Sequence, residues 1–405
     1  MLHLPFTLLV LLLTGLSDLA DLANFATAKR LAGQGFHFLV LQRDGQVFAV
    51  GSGAYGQLGL NTTSDALLPQ SMLSVTNATD ISTGLDYSCL IDQGNQVKCT
   101  GRNDNYRLGD GTTTRRHMLV PVLGLTSGIE ELYCGSFGSC VRTTSGGAQC
   151  WSFFAGLTRT SPVYITISGG IQSLSLGFTH ACFVVVGDKL YCMGTNTYGQ
   201  LGTGNKTSQT TPTQVIDLAA EGIVSVACGY EHTCAVNADG VMFCWGNVLN
   251  GRLGNPSITS NLPFPIQVLG IALDVASTWL GFYNSFALMQ NGTVMAFGKD
   301  NYGVFGIGST GDKTKPIVYG KGVSGVVEIR GGYPTTCVLL QNDTVWCTGR
   351  GRFGQFGVGT VTDSFTLVEM KLPTSAPTTQ PTLTPNTQPT LAPIKQLTLA
   401  PHVDA

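Results

Sequence analysis

Cys228-Gly229-Tyr230-Glu231-His232-Thr233-Cys234-Ala235-Val236 is the stretch that opens the rest of the chain to reading. The same register returns at Gly33, Gly84, Gly135, Gly177, Gly281 and Gly332. With Gly229 in place the steps are 51, 51, 42, 52, 52 and 51 residues, so the third of seven units has lost about ten. A fixed period of this length marks a repeat architecture in which each unit is one supersecondary element.

Outward from the register glycine every unit follows one plan. An apolar strand runs into a turn such as Asp239-Gly240, Asn291-Gly292 or Asp44-Gly45, and a second strand follows, as in Val241-Met-Phe-Cys-Trp-Gly246. Asn-Gly and Asp-Gly between apolar strands signal hairpins, because both central residues must tolerate positive φ. Next comes a loop with glycines eight apart, as in Gly194-Thr-Asn-Thr-Tyr-Gly-Gln-Leu-Gly202, though Tyr106 replaces one inner glycine in the second unit. A proline-led strand and an Ile-x-x-[Ile/Val/Leu] strand such as Ile223-Val-Ser-Val226 complete the unit. Four strands in each of seven units specify an all-β fold, a seven-bladed propeller of about 51 residues per blade, which leaves no long exposed edge. The last unit stops after Phe365-Thr-Leu-Val-Glu-Met370. The N-terminal strand, at about Phe25 to Leu31, is therefore expected to complete the last blade and close the ring.

These residues resemble the repeats of the regulator of chromosome condensation family, and more closely its secreted, cysteine-containing form, over roughly residues 31–371. The resemblance implies the propeller fold, which a secreted bacterial inhibitor of β-lactamases shares. It also implies an ability to bind proteins through one face of the ring. The namesake of the family implies a different activity, guanine nucleotide exchange on a small GTPase. Fold alone does not choose between them.

Composition narrows the choice. Only 11% of residues are charged, and 22 basic against 24 acidic side chains leave a net charge of −2. No basic stretch is available to neutralise a phosphate backbone, which argues against nucleic acid. Residues 8–13 are a short apolar run that suits a signal peptide over residues 1–17, with Ser17 or, as late as residue 28, Ala28 preceding the cleaved bond. No other run has the length of a membrane span. The propeller is expected over residues 25–371. Residues 372–405, rich in Pro and Thr, read as a disordered, O-glycosylated stalk.

The cysteines follow the repeat. Cys89/Cys99, Cys140/Cys150, Cys182/Cys192, Cys234/Cys244 and Cys337/Cys347 are each ten residues apart, one on either arm of a hairpin, and are expected to be disulfide-bonded. The first unit carries Phe38 and Phe48 in their place, and the sixth carries Phe286 and Ala296. Cys134 and Cys228 are read as free thiols. With no Cys-x-x-Cys motif and no clustered His and Cys, no metal site is expected. Five sequons, at Asn61, Asn77, Asn205, Asn291 and Asn342, fall in loops or hairpin turns and are candidate glycosylation sites.

The remaining motifs read as architecture. Gly51-Ser-Gly-Ala-Tyr-Gly56 and Gly349-Arg-Gly-Arg-Phe-Gly354 match a dinucleotide fingerprint, but each is one copy of the repeated loop, with no helix after it to hold a pyrophosphate. No cofactor is expected. His180 and His232 occupy one repeat position, where Tyr87 and Phe36 stand in other units, so they are read as packing or inter-blade hydrogen-bonding residues. Trp151, Trp245 and Trp346 are read as packing between blades. The exception is the third unit, where Ser152-Phe-Phe-Ala-Gly-Leu-Thr-Arg-Thr160 replaces the loop. A shortened blade is expected to leave a notch lined by Phe153, Phe154, Arg159 and Tyr164, residue types that dominate binding hot spots. Trp279, Phe282 and Tyr283 form a second candidate cluster. The expectation is a monomeric extracellular recognition scaffold, not an enzyme, that presents its loops to a protein or glycan. Nucleotide exchange on a GTPase is the alternative.

Overall fold

The computed structural model describes residues 30–373 except 76, 155, 219–221, 272 and 333. It contains seven sheets of four antiparallel strands, at residues 30–71, 80–121, 129–164, 171–214, 223–267, 275–318 and 326–369. The inner strands of all seven line one central channel, so the sheets stand as blades of a ring. The chain divides into one unit ending at Leu372 and a second, Pro373–Ala405. The signal-peptide and stalk expectations fall in residues 1–29 and 374–405, outside the described residues.

Burial explains why each strand has its sequence. The second strands, such as His232–Asn237 and His180–Val185, are buried along their whole length because a neighbouring blade covers each face. They accordingly read as unbroken runs of small and apolar residues. The outer strands, such as Leu262–Gln267, alternate between half-buried and exposed positions, and there proline and polar residues are tolerated. The register glycines exist because the turns crowd around the channel mouth. A Cβ on Gly229 would lie 2.8 Å from the carbonyl oxygen of Gly281 in the next blade and would strike the ring of His232.

Two expectations about the first blade are corrected. The strand Arg30–Gly33 pairs with His37–Leu41 in its own sheet, and the last blade is complete from Val326 to Glu369, so no strand is shared across the seam. The Ile-x-x-Val strand therefore opens each blade instead of closing it. The cause is the short turn after it, which folds it antiparallel onto its immediate successor. This strand begins two residues past Ala28, so the later cleavage site would leave it intact. The second correction concerns register. His37 lies opposite Gly51, as His180 lies opposite Gly194, and the first blade's counterparts of the disulfide are therefore Leu39 and Ala49, not Phe38 and Phe48. One extra residue in the Gly33–Phe36 turn shifts the frame.

Side chains tie the inner strands to one another. The backbone N–H groups of Cys134, Cys228 and Thr278 donate to Ser82, Ser175 and Ser225 of the preceding blade, at 2.9, 3.0 and 3.4 Å. At the seam Leu31 N donates to Glu328 Oε2 at 2.7 Å, and Leu31, Phe38, Val40 and Val50 share one apolar cluster with Leu339, Val345, Phe356 and Met370. The ring closes by the same kind of packing that joins its other blades.

Candidate functional site

Strand direction sorts the connections onto two faces. Turns from inner to second strand and loops from third to outer strand emerge on one face. The hairpins and the outer-to-inner connections emerge on the other. The first face carries an aromatic crown at the channel mouth. Phe178 lies 4.7 Å from Phe137 and 4.0 Å from Tyr230, and Tyr230 lies 6.0 Å from Phe282 and 5.5 Å from Tyr283. All are half-buried. Their backbones are bonded around the mouth: Ser136 N donates to Gly177 O, Phe178 N to Gly229 O and Tyr230 N to Phe282 O. The aromatic rings thus sit on a fixed scaffold.

Cations back this crown. The Arg107 guanidinium lies 4.7 Å from the Phe137 centroid, Arg252 lies 5.0 Å from that of Tyr283, and the Lys299 ammonium lies 4.9 Å from the same ring. Arg107 and Arg252 are buried, and burial lowers the proton affinity of both. Arg252 approaches Glu231 at 4.0 Å and donates to Leu249 O at 2.8 Å. Both arginines therefore act as fixed charges beneath the rings rather than as mobile surface groups.

Of the four residues expected to line a notch, the structure joins Phe153 to the crown, with its ring 6.3 Å from Phe137. Arg159 lies opposite Ser152 on the same hairpin and is half-buried, with its proton affinity lowered by desolvation. Tyr164 pairs with Gln149 at the far end of the outer strand and is 68% exposed, so it does not share a surface with Phe153. The side chain of Phe154 lies outside the described set. In the absence of the loop, the third and outer strands simply continue as a hairpin to Phe154 and Leu157. Trp279 separates from Phe282 and Tyr283. It faces the channel, a cavity of about 340 Å³, under the guanidinium of Arg330 at 4.4 Å. Phe178 and Tyr230 were missed by sequence reasoning, although their common place directly after the register glycine was the available signal.

The other candidates are structural. The five cysteine pairs are bonded as their spacing implied. Cys89–Cys99, Cys140–Cys150, Cys182–Cys192 and Cys234–Cys244 each have a Cα separation of 4.1 Å, and Cys337–Cys347 one of 4.0 Å. In every pair the two cysteines face each other directly across the hairpin of the second and third strands. All ten are buried, so Cys99, Cys150, Cys192 and Cys347 on the third strands, like their partners on the second, belong to the core and to no exposed site. Cys134 and Cys228 are free, and burial pushes their thiols up to about 11 and about 12. His180, Cys182 and Cys228 place ligand atoms within 4.8 Å of one another, but Cys182 is committed to Cys192.

Three buried histidines are ties between blades. His37, His180 and His232 hydrogen-bond through Nε2 with Ser88, Thr233 and Ser285 of the following blade, at 2.8, 2.8 and 3.0 Å. Desolvation holds His37 down at about 4, His180 at about 3 and His232 well below its usual value. The indoles of Trp151 and Trp245 donate across blades to Arg107 O and Gln200 O. The five sequon asparagines are all exposed. Asn61 and Asn205 lie in loops of the crown face, and Asn77, Asn291 and Asn342 on the opposite face.

Comparison with known proteins agrees with this architecture. Residues 44–91 and 188–236 match the Regulator of chromosome condensation (RCC1) repeat, and 171–200, 223–252 and 326–355 match a second description of it. The chain is 27% identical over 343 residues to the ultraviolet-B receptor UVR8 of Arabidopsis thaliana, covering 81% of this chain and 78% of that protein. It is 27% identical over 338 residues to the human E3 ubiquitin-protein ligase HERC2, but spans only 7% of that protein's length. The structure of Prp20p from Saccharomyces cerevisiae superposes with a TM-score of 0.73 at 17% identity, over 88% of this chain and 90% of that one. The seven four-stranded blades, with these matches over part of the chain, support a propeller of regulator of chromosome condensation repeats.

Proposed function

We propose that the chain is an extracellular recognition module that holds a protein partner on its crown face. The observation that carries this reading is the cluster of Phe137, Phe178, Tyr230, Phe282 and Tyr283, half-buried, in contact from ring to ring and backed by Arg107 and Arg252. Aromatic residues and arginine supply most of the energy at protein interfaces, and rigid anchors lose little entropy on binding. Prp20p, which shares the fold, binds Gsp1p and histones, which supports binding as the use of such a ring. Five disulfides and exposed sequons support an oxidising, extracellular setting. The buried histidines His37, His180 and His232 are engaged in ties between blades, which supports binding over catalysis.

The test begins with secretion. Expressed in a eukaryotic secretory host, the protein is expected in the medium with its cysteine pairs oxidised and sugar on sequon asparagines. It is then used to capture partners at cell surfaces, beside the triple variant Tyr230→Ala, Phe282→Ala, Tyr283→Ala. The reading requires partners that the triple variant loses and that Tyr164→Ala keeps. A protein retained in the cell with free thiols would instead favour nucleotide exchange on a GTPase.

A further inference from the structure

The loops between third and outer strands share a polar anchor, and the sixth blade departs from it. In the second and fourth blades the third loop residue is an asparagine. Asn103 Nδ2 donates to Asp110 Oδ1, Thr112 Oγ1 and Thr114 O at 2.9, 3.3 and 2.9 Å. Asn196 Nδ2 donates to Thr203 Oγ1, Asn205 O and Thr207 O at 3.4, 3.0 and 3.1 Å. Each amide nitrogen is thus ringed by oxygens of its own loop. In the first and seventh blades the position is Gly53 or Gly351, where a Cβ would collide with the carbonyl of Ser64 or Thr362.

The sixth blade places Asp300 at this position. Its loop has the same length as the asparagine loops, with Gly298 paired to Lys313 as Gly101 is to Arg116 and Gly194 to Gln209. The shared frame puts Ser309 and Gly311 where the other loops supply acceptors. Asp300 has no side-chain N–H to offer them. It is 0% exposed, and neither carboxylate oxygen has a partner in hydrogen-bond geometry. The backbone N–H groups of Val304 and Phe305 approach the carboxylate and offset part of its burial cost. Its own N–H is held as in the fourth blade: Asp300 N donates to Asp312 Oδ1 at 3.0 Å, as Asn196 N does to Ser208 Oγ at 3.1 Å. A buried carboxylate carries a large desolvation cost unless a positive charge lies beside it. Lys313 is a nearby ammonium, and it is bonded to the Gly311 carbonyl.

We propose that this loop of the sixth blade is a calcium site, with Asp300 as its charged ligand and oxygens of Ser309 and Gly311 as neutral ones. Calcium accepts carboxylate and carbonyl oxygens in flexible geometry and fills the rest of its shell with water. It takes the place that the amide nitrogen of asparagine fills in the sibling loops. A single carboxylate beside a lysine makes a weak site, in the range of extracellular modules, with a Kd of about 0.1–1 mM. The site adjoins Lys299, whose ammonium lies over the Tyr283 ring.

The test uses the full chain with disulfides intact, stripped with EDTA and titrated with calcium chloride at pH 7.5. Melting temperature and calorimetric heat are recorded together. A rise of several degrees with one saturable binding event is expected. Asp300→Asn, which copies Asn103 and Asn196, should fold normally and lose both responses. Lys313→Met should tighten binding. Two results would overturn the proposal: no calcium response in the wild type, or an undiminished one in Asp300→Asn. A wild type blind to calcium, but stabilised in EDTA as pH falls through 6, would assign the position to a buried proton instead.

Discussion

In the fifth blade the middle strands are bonded through Cys234 and Cys244. In the sixth the same rungs hold Phe286 opposite Ala296, both fully buried. Phe286 meets Phe305 and Tyr319 edge-on, with centroids 5.9 and 6.0 Å apart. The neighbouring rungs differ as well: His232 and Trp245 in the fifth blade correspond to Asn284 and Phe297 in the sixth. The backbone pairing is nevertheless the same. The rung is thus a buried slot that can be filled by sulfur or by ring and methyl. The disulfide acts chiefly by restricting the unfolded chain, whereas Phe286 acts through packing in the folded one.

The comparison breaks most visibly if the sixth-blade slot is emptied. Phe286→Ala should cost about 3–5 kcal/mol in guanidinium unfolding; a loss below about 1 kcal/mol would mean that the slot needs no filling. Removing the fifth-blade bond with Cys234→Ala and Cys244→Ala should cost about 2–4 kcal/mol. Grafting the sixth-blade solution, Cys234→Phe with Cys244→Ala, should recover part of that loss. No recovery would show that the two blades are not interchangeable.

Acid sharpens the contrast. His37, His180 and His232 are held neutral below the usual histidine value of 6.5. The folded state therefore binds fewer protons than the unfolded one. Stability should be complete above pH 6.5 and fall as pH drops toward about 4. Each imidazole adds to that fall. Thermal melts of His232→Asn, which copies the sixth blade, should show a shallower decline; an unchanged slope would remove His232 from the account. The smallest effect is expected at Asp300→Asn in EDTA at pH 7.5, a gain of about 1 kcal/mol from the restored amide donor.

Much of this was legible in the chain itself. The register glycines, the hairpin dipeptides and the ten-residue cysteine spacing each report a local constraint, and local constraints survive in sequence. The strand that opens each blade was harder to place, because Ile223-Val-Ser-Val226 looks the same whether it pairs backward or forward. Only the tightness of the turn after it decides. The first-blade frame was hidden by a second glycine: Gly33 imitates the register residue, while the insertion before His37 moves every later position by one. The crown was least legible. Phe178, Tyr230 and Phe282 stand some fifty residues apart and become neighbours only once the ring brings their turns together.

The complete first and last blades have a consequence for how the molecule can be recut. A ring can lock its two ends by lending a strand across the seam. Here every blade is contiguous instead, and the junction at Leu31 and Glu328 uses the same kind of donor-to-side-chain tie as three of the others. No blade borrows a strand across any junction. A circular permutant that joins the end of the last outer strand to Arg30 and opens the chain between any other two blades keeps all seven sheets whole. For the same reason, duplicating or deleting a whole blade changes the size of the ring without leaving an orphan strand.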